Sequence, residues 1–128
     1  ANGFALLADS AAATGLTYGA GIPVVTVTKN ASYTLALGDA YDLIAMNVGS
    51  GNTLTIPQES SVNFPIGTVI NVFQQGTGQT TITVDSFINT ILYSNGATPD
   101  APKLRARYSG ASIIKVASET WLCVGDIV

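Results

Sequence analysis

Two runs, Thr53-Leu54-Thr55-Ile56 and Thr81-Ile82-Thr83-Val84, constrain this chain more than any other feature. Side chains on a strand alternate between the faces of a sheet, so each run puts two apolar groups on one side and two hydroxyls on the other. That is the pattern of a strand with one face in a core and one in water, and it predicts antiparallel pairing. Runs rich in Val, Ile, Thr and Tyr at 24–28, 32–36, 42–47, 53–56, 69–74, 80–84, 90–93, 104–108, 113–117 and 120–124 have the spacing of an all-β domain. Between them, Gly49-Ser50-Gly51-Asn52, Gln75-Gly76-Thr77-Gly78-Gln79 and Ser94-Asn95-Gly96 supply residues that accept positive φ, as tight hairpins require. The expected fold over 23–128 is therefore an antiparallel β-sandwich or jelly-roll-like domain, its strand order open among several Greek-key topologies. Two longer connections, 57–67 with two prolines and a core-sized Phe64, and 95–102, are the places where such a scaffold carries variable function.

Residues 1–22 read differently, being mostly Ala, Gly, Ser and Thr with scattered anchors at Phe4, Leu6, Leu7, Leu16 and Tyr18. So little side-chain volume makes no core, and the segment is expected to be an extended attachment arm that needs a neighbour. High Ala propensity leaves a helix over Leu6 to Ala13, ended by Gly15, as the alternative. The start at Ala1 fits either removal of an initiator Met or a piece of a longer chain.

A chain of 128 residues makes one domain, which on general scaling buries about 68% of the surface its unfolded form exposes. Charged residues are only 10% of it, against roughly 25% in ordinary globular domains. A surface so poor in charge suits burial between subunits or an extracellular setting. The formal net charge of −3 argues against a nucleic-acid partner or an anionic membrane surface. No apolar run approaches the roughly 20 residues of a bilayer span, and Ala1-Asn2-Gly3-Phe4 lacks the pattern of a signal peptide.

Reaction chemistry is hard to find. The chain has no histidine, which removes the commonest general base and metal ligand together with every Ser/His or Cys/His nucleophile. Cys123 has no second thiol for a disulfide or a zinc site, and its neighbours Leu122 and Val124 mark it as a small core residue. No Lys follows a glycine turn in the way a phosphate-binding loop needs. Asp39 and Asp42 are close enough in sequence to suggest a glycosidase-like carboxylate pair, but a turn in which Asp39 bonds its own backbone after Gly38 is the favoured reading, and no calcium-loop pattern surrounds them. The expectation is a protein without enzymatic activity, cofactor or metal.

Four of the five cations lie near the C-terminus, as Lys103, Arg105, Arg107 and Lys115. On a strand over 104–108, Lys103, Arg105 and Arg107 project from one face while Leu104 and Ala106 point into the core. Such a row serves as a polyanion or sugar-acid site, or is neutralised by carboxylates such as Asp39, Asp42, Asp100 or Glu119. Among the aromatics Tyr41, Tyr93, Tyr108 and Trp121, the last is expected to be a core or interface anchor, whereas Tyr93 and Asn95 are expected at an exposed tip. The candidate ligand or interface residues are thus Tyr93, Asn95, Lys103, Arg105 and Arg107.

With these residues laid out, the chain resembles virion appendage proteins of tailed bacteriophages. Leu7-Ala8-Asp9-Ser10 followed by Thr14-Gly15-Leu16-Thr17-Tyr18 is similar to a junction repeated in phage fibre proteins, with Tyr18 in place of the usual Trp. Tyr33-Thr34-Leu35, Val62-Asn63-Phe64-Pro65-Ile66-Gly67-Thr68, Lys103-Leu104-Arg105-Ala106-Arg107-Tyr108-Ser109 and Trp121-Leu122-Cys123-Val124-Gly125-Asp126-Ile127 resemble their C-terminal β-domain. The resemblance implies a homotrimer on a virion, either a distal tail-fibre piece or a capsid fibre or decoration protein. It further implies attachment to other virion proteins through the N-terminal arm, with loops free to meet host-surface glycan. A free-standing lectin-like carbohydrate-binding module is the alternative reading.

Overall fold

The computed structural model describes residues 4–8, 16–20 and 24–128. Eleven strands carry the fold, and a single short turn of 3-10 helix, Leu37–Asp39, is the one helical element among the described residues. The first two strands, β1 (Phe4–Ala8) and β2 (Leu16–Ala20), pair antiparallel from Phe4 opposite Ala20 to Ala8 opposite Leu16, as a separate two-stranded sheet. The alternative of a helix over 6–13 is corrected at Leu6–Ala8, which lie in β1; its remaining residues fall outside the described ones.

From Thr26 the chain winds through three stacked rungs. In the first, β3 (Thr26–Lys29) leads to β4 (Tyr33–Thr34); in the second, β5 (Leu43–Met46) leads to β6 (Asn52–Ile56); in the third, β7 (Val69–Gln74) leads to β8 (Thr80–Val84). The odd-numbered strands of these rungs lie parallel in one sheet and the even-numbered ones parallel in another. The large sheet is completed by β10 (Gly110–Ala117), antiparallel to β7, then β11 (Thr120–Gly125), antiparallel to β10, then β9 (Ile91–Ser94), parallel to β11. Its order is β3-β5-β7-β10-β11-β9, beside a three-stranded sheet β4-β6-β8.

The all-β expectation holds, while the antiparallel one does not: five of the eight strand pairings are parallel. Alternation in 53–56 and 81–84 correctly marks which side chains face the core, but it carries no information on strand direction, because a half-buried strand alternates in either pairing. The glycine turns change meaning in consequence. Those at 49–52 and 75–79 join strands of different sheets, and neither Gly76 nor Gly78 has positive φ. What these two positions require is space: a Cβ on Gly76 would stand 2.2 Å from Val48 O, and one on Gly78 would stand 1.8 Å from Ser50 O. The third-rung turn lies directly on the second, with the same 28-residue offset (43 to 71, 56 to 84) that relates the strands on either side.

One apolar core fills the space between the sheets. Ile44, Met46, Ile70, Val72, Ile113 and Cys123 come from the large sheet, Leu54, Ile56, Ile82 and Val84 from the small one. Trp121 and Phe64 meet edge to face in it, ring centres 5.5 Å apart, so the 57–68 connection contributes its aromatic to the core as expected. Cys123 is fully buried, and burial pushes its thiol up to about 11, which suits an inert packing residue.

The expected strand over 104–108 is the element that fails. Lys103 and Leu104 make only isolated bridges, to Thr81 and Ile127, after which the chain turns through 105–109. Tyr108 sits at φ 69 within that turn, a conformation no strand contains. Ala106 is exposed and does not point into the core.

Candidate functional site

Losing that strand disperses the basic row. Lys103 remains exposed at the edge of β8, its backbone N–H donating to Val128 O. Arg105 closes a bidentate pair on Asp126, Nε to Oδ1 at 2.7 Å and Nη2 to Oδ2 at 2.8 Å. Arg107 donates from Nε to the carbonyl of Gln75 at 2.9 Å and covers the ring of Tyr108. The carboxylate that answers Arg105 is therefore Asp126, and not Asp39, Asp42, Asp100 or Glu119. Ser109 adds a 2.6 Å hydrogen bond to the same carboxylate. Arg105 and Ser109 together hold the Asp126 carboxyl down at about 2, and the paired Arg105 is raised in turn. This clasp joins two of the segments on which the phage resemblance rests.

Tyr93 and Asn95 are both exposed, Asn95 in the loop that follows β9 and Tyr93 within β9 itself and not at a tip. Ser94 orders the loop behind them, its hydroxyl donating to Pro99 O at 2.8 Å and accepting from the N–H of Gly96. Asp39 is buried and engaged: its Oδ2 accepts the Tyr33 hydroxyl and the Ala36 N–H, each at 2.7 Å. Burial, with the Asp39 hydrogen bond and charge behind it, pushes Tyr33 up to about 12. Asp39 thus bonds local backbone, as the turn reading requires.

Sequence reasoning missed a buried and fully bonded cation, Lys115. It shares the inward face of β10 with Ile113, and its side chain is 2% exposed. Its ammonium reaches Phe64 O at 2.6 Å, Glu59 Oε1 at 2.7 Å and Asn63 Oδ1 at 3.2 Å. Such a complete set of acceptors is what a buried cation needs. Glu59 in turn accepts the N–H of Glu119 at 2.8 Å, and Glu119 accepts the N–H of Glu59 at 2.8 Å. Lys115 first, then that backbone N–H, hold Glu59 below the usual carboxylate range. The available signal was the period-two spacing of Ile113 and Lys115, which puts both on one face.

The broadest feature is the outward face of the large sheet. Strand register sets Tyr93 beside Leu122, Leu122 beside Ile114 and Ile114 beside Val69, an apolar row across four strands. A second row runs Val124, Ser112, Asn71, Leu43, and its only polar pair is internal, Ser112 Oγ donating to Asn71 Oδ1 at 2.6 Å. A shallow depression of about 460 Å³ opens here against Leu43, Phe73 and Val124, and none of the residues lining it is charged. The outward face of the small sheet is the opposite, carrying Thr34, Thr53, Thr55, Thr81 and Thr83.

No protein-family model matches the chain, and no curated protein or solved structure is significantly similar to it.

Proposed function

We propose that this chain is a non-enzymatic structural module of a tailed-phage virion, a fibre or decoration protein that works as a homotrimer. The observation that carries the assembly part is the outward face of the large sheet. A block of the four central strands at about 4.8 Å spacing, taken over a shared length of about five residues at about 3.4 Å, gives a flat area of about 300 Å² before side-chain relief is counted. That is the scale of the largest apolar patch on an ordinary monomer, which is often functional, and in a trimer such an uncharged face packs against a different surface of the next copy. Scarcity of charge over the whole chain favours the same reading.

Attachment to the virion belongs to the segment containing β1 and β2, and host contact to the 95–100 loop beside Tyr93, where Asn95, Thr98 and Asp100 are exposed. The other candidate loop is already fastened through Glu59 and Lys115. In this reading the two sheets packed across one core are a sandwich built from parallel rungs, and three copies turn weak single-site adhesion into avidity.

Light scattering on the purified chain, at low and high dilution, tests the proposal. A mass of three chains at both supports it. A monomer at both overturns the trimer and directs attention to glycan binding by the single chain.

A further inference from the structure

We propose that Lys115 and Asn63 join through an intramolecular amide bond, formed without any other protein, with Glu59 carrying the proton. The three groups are already assembled: Nζ stands 3.2 Å from Asn63 Oδ1 and 2.7 Å from Glu59 Oε1, on a lysine that is almost wholly buried. Both sides of the reaction are held. Lys115 lies in β10, paired on one side to β7 and on the other to β11. Glu59 and Asn63 lie on the 57–68 connection, pinned by the reciprocal Glu59 and Glu119 backbone bonds and by Phe64 against Trp121. Fixing reactants in contact replaces a bimolecular encounter with a unimolecular step, which is where most of such an acceleration comes from.

The resting pair is ionic, and moving one proton along the 2.7 Å hydrogen bond from Nζ to Glu59 makes it neutral. That transfer runs against the Lys115 hydrogen bond that favours ionised Glu59, so the neutral pair is a minor form, and in it the amine is nucleophilic. The Nζ lone pair attacks Cγ of Asn63, a C–N bond forms, and the bond from Cγ to Nδ2 breaks. Glu59 returns its proton to the departing nitrogen as general acid, the bond breaks to release ammonia, and the extra proton on the attacking Nζ passes through the Glu59 carboxylate to that ammonia, which departs as ammonium. The balance is one lysine ammonium and one primary amide giving one secondary amide and one ammonium ion, with no oxidant or co-reactant. Asn63 is exposed on its outer side, which gives the ammonia its exit while the attack comes from within.

Intact mass of the denatured, fully matured chain tests this. The expected value is the sequence mass less one ammonia, with a tryptic peptide joining the segments that contain Asn63 and Lys115 and no cleavage after Lys115. Asn2-Gly3 and Asn95-Gly96 are other places where ammonia is lost, by succinimide formation, and the joined peptide distinguishes them from the proposed bond. Asn63→Ser should return the full sequence mass with an unchanged circular dichroism spectrum, and Glu59→Gln should slow or abolish the loss. A matured wild-type chain at full sequence mass, or an ammonia loss that maps only to Asn2 or Asn95, overturns the proposal.

Discussion

The two sheets share one core and the same period-two alternation, yet their outward faces are chemically opposite. On the small sheet every outward position of β6 and β8 is threonine, whose hydroxyl keeps its water and whose branched Cβ still suits a strand. On the large sheet the equivalent positions of β7, β10 and β11 include Val69, Phe73, Ile114, Leu122 and Val124. Leaving those exposed forgoes about 25 cal/mol for every Å² that another surface would cover. Strand geometry is alike on both sides, so the difference is what the proposed assembly calls for: one face kept for water and the other for a neighbouring copy.

The largest expected effect breaks that asymmetry directly. Ile114→Lys combined with Leu122→Lys puts charge on adjacent register positions of the apolar row, and the light-scattering mass should fall from three chains to one. Thr53→Lys combined with Thr83→Lys, the same change on the hydroxyl face, should leave the mass at three. If both pairs dissociate the assembly, the faces are not distinct and the assignment of the interface is wrong.

Next in size is the corner that holds the two faces in one coil. Gly78→Ala should destabilise the chain by about 3 kcal/mol, since the new methyl overlaps the backbone of Ser50 and the stacked turn must open. Gly49→Ala, where nothing lies within 4 Å of the new atom, should stay within about 0.5 kcal/mol in the same urea titration. Beside that corner, Asn52 donates to Ser50 O and Gly78 O and accepts from the Thr80 hydroxyl, the last two out of solvent. Asn52→Ala leaves those partners unpaired and should cost about 1 to 3 kcal/mol, read as a lower urea midpoint at constant slope.

How much of this was legible depends on which physical signal each feature writes into the sequence. The runs at 69–74 and 80–84 have the observed bounds of β7 and β8, because β-branched alternation bounded by turn residues is a local signal. Parallel stacking is a relation between segments 28 residues apart, and the glycines that permit it look the same as hairpin glycines until the partner turn is known. The run at 104–108 has strand alternation without strand pairing, since Arg105 and Ser109 are drawn to Asp126 and Arg107 to Gln75. Asn95 was readable as a loop residue from its turn chemistry, whereas Tyr93 falls within β9 and belongs to the sheet face. The Lys115 cluster was not, because its acceptors lie more than 50 residues away and include a backbone carbonyl, which no side-chain pattern reveals.

The smallest effect concerns the Arg105 and Asp126 clasp, which belongs to neither face and sharpens the comparison as a control. Asp126 is held at about 2 in the folded chain against an ordinary 3.8, so its charged form is favoured by folding. A depressed carboxylate adds stability that is fully present above its unfolded value and is lost as pH falls through its folded value. The urea midpoint of the wild type should therefore exceed that of Asp126→Asn at neutral pH, and most of the gap should close by about pH 2. The gap should be modest, because both side chains are about half exposed and solvent screens the pair. The oligomer mass should not change with it, since the apolar rows contain no titrating group near acid pH. If instead the chains separate over the same acid range, the clasp takes part in assembly, and the interface extends beyond the apolar face to the turn at 105–109.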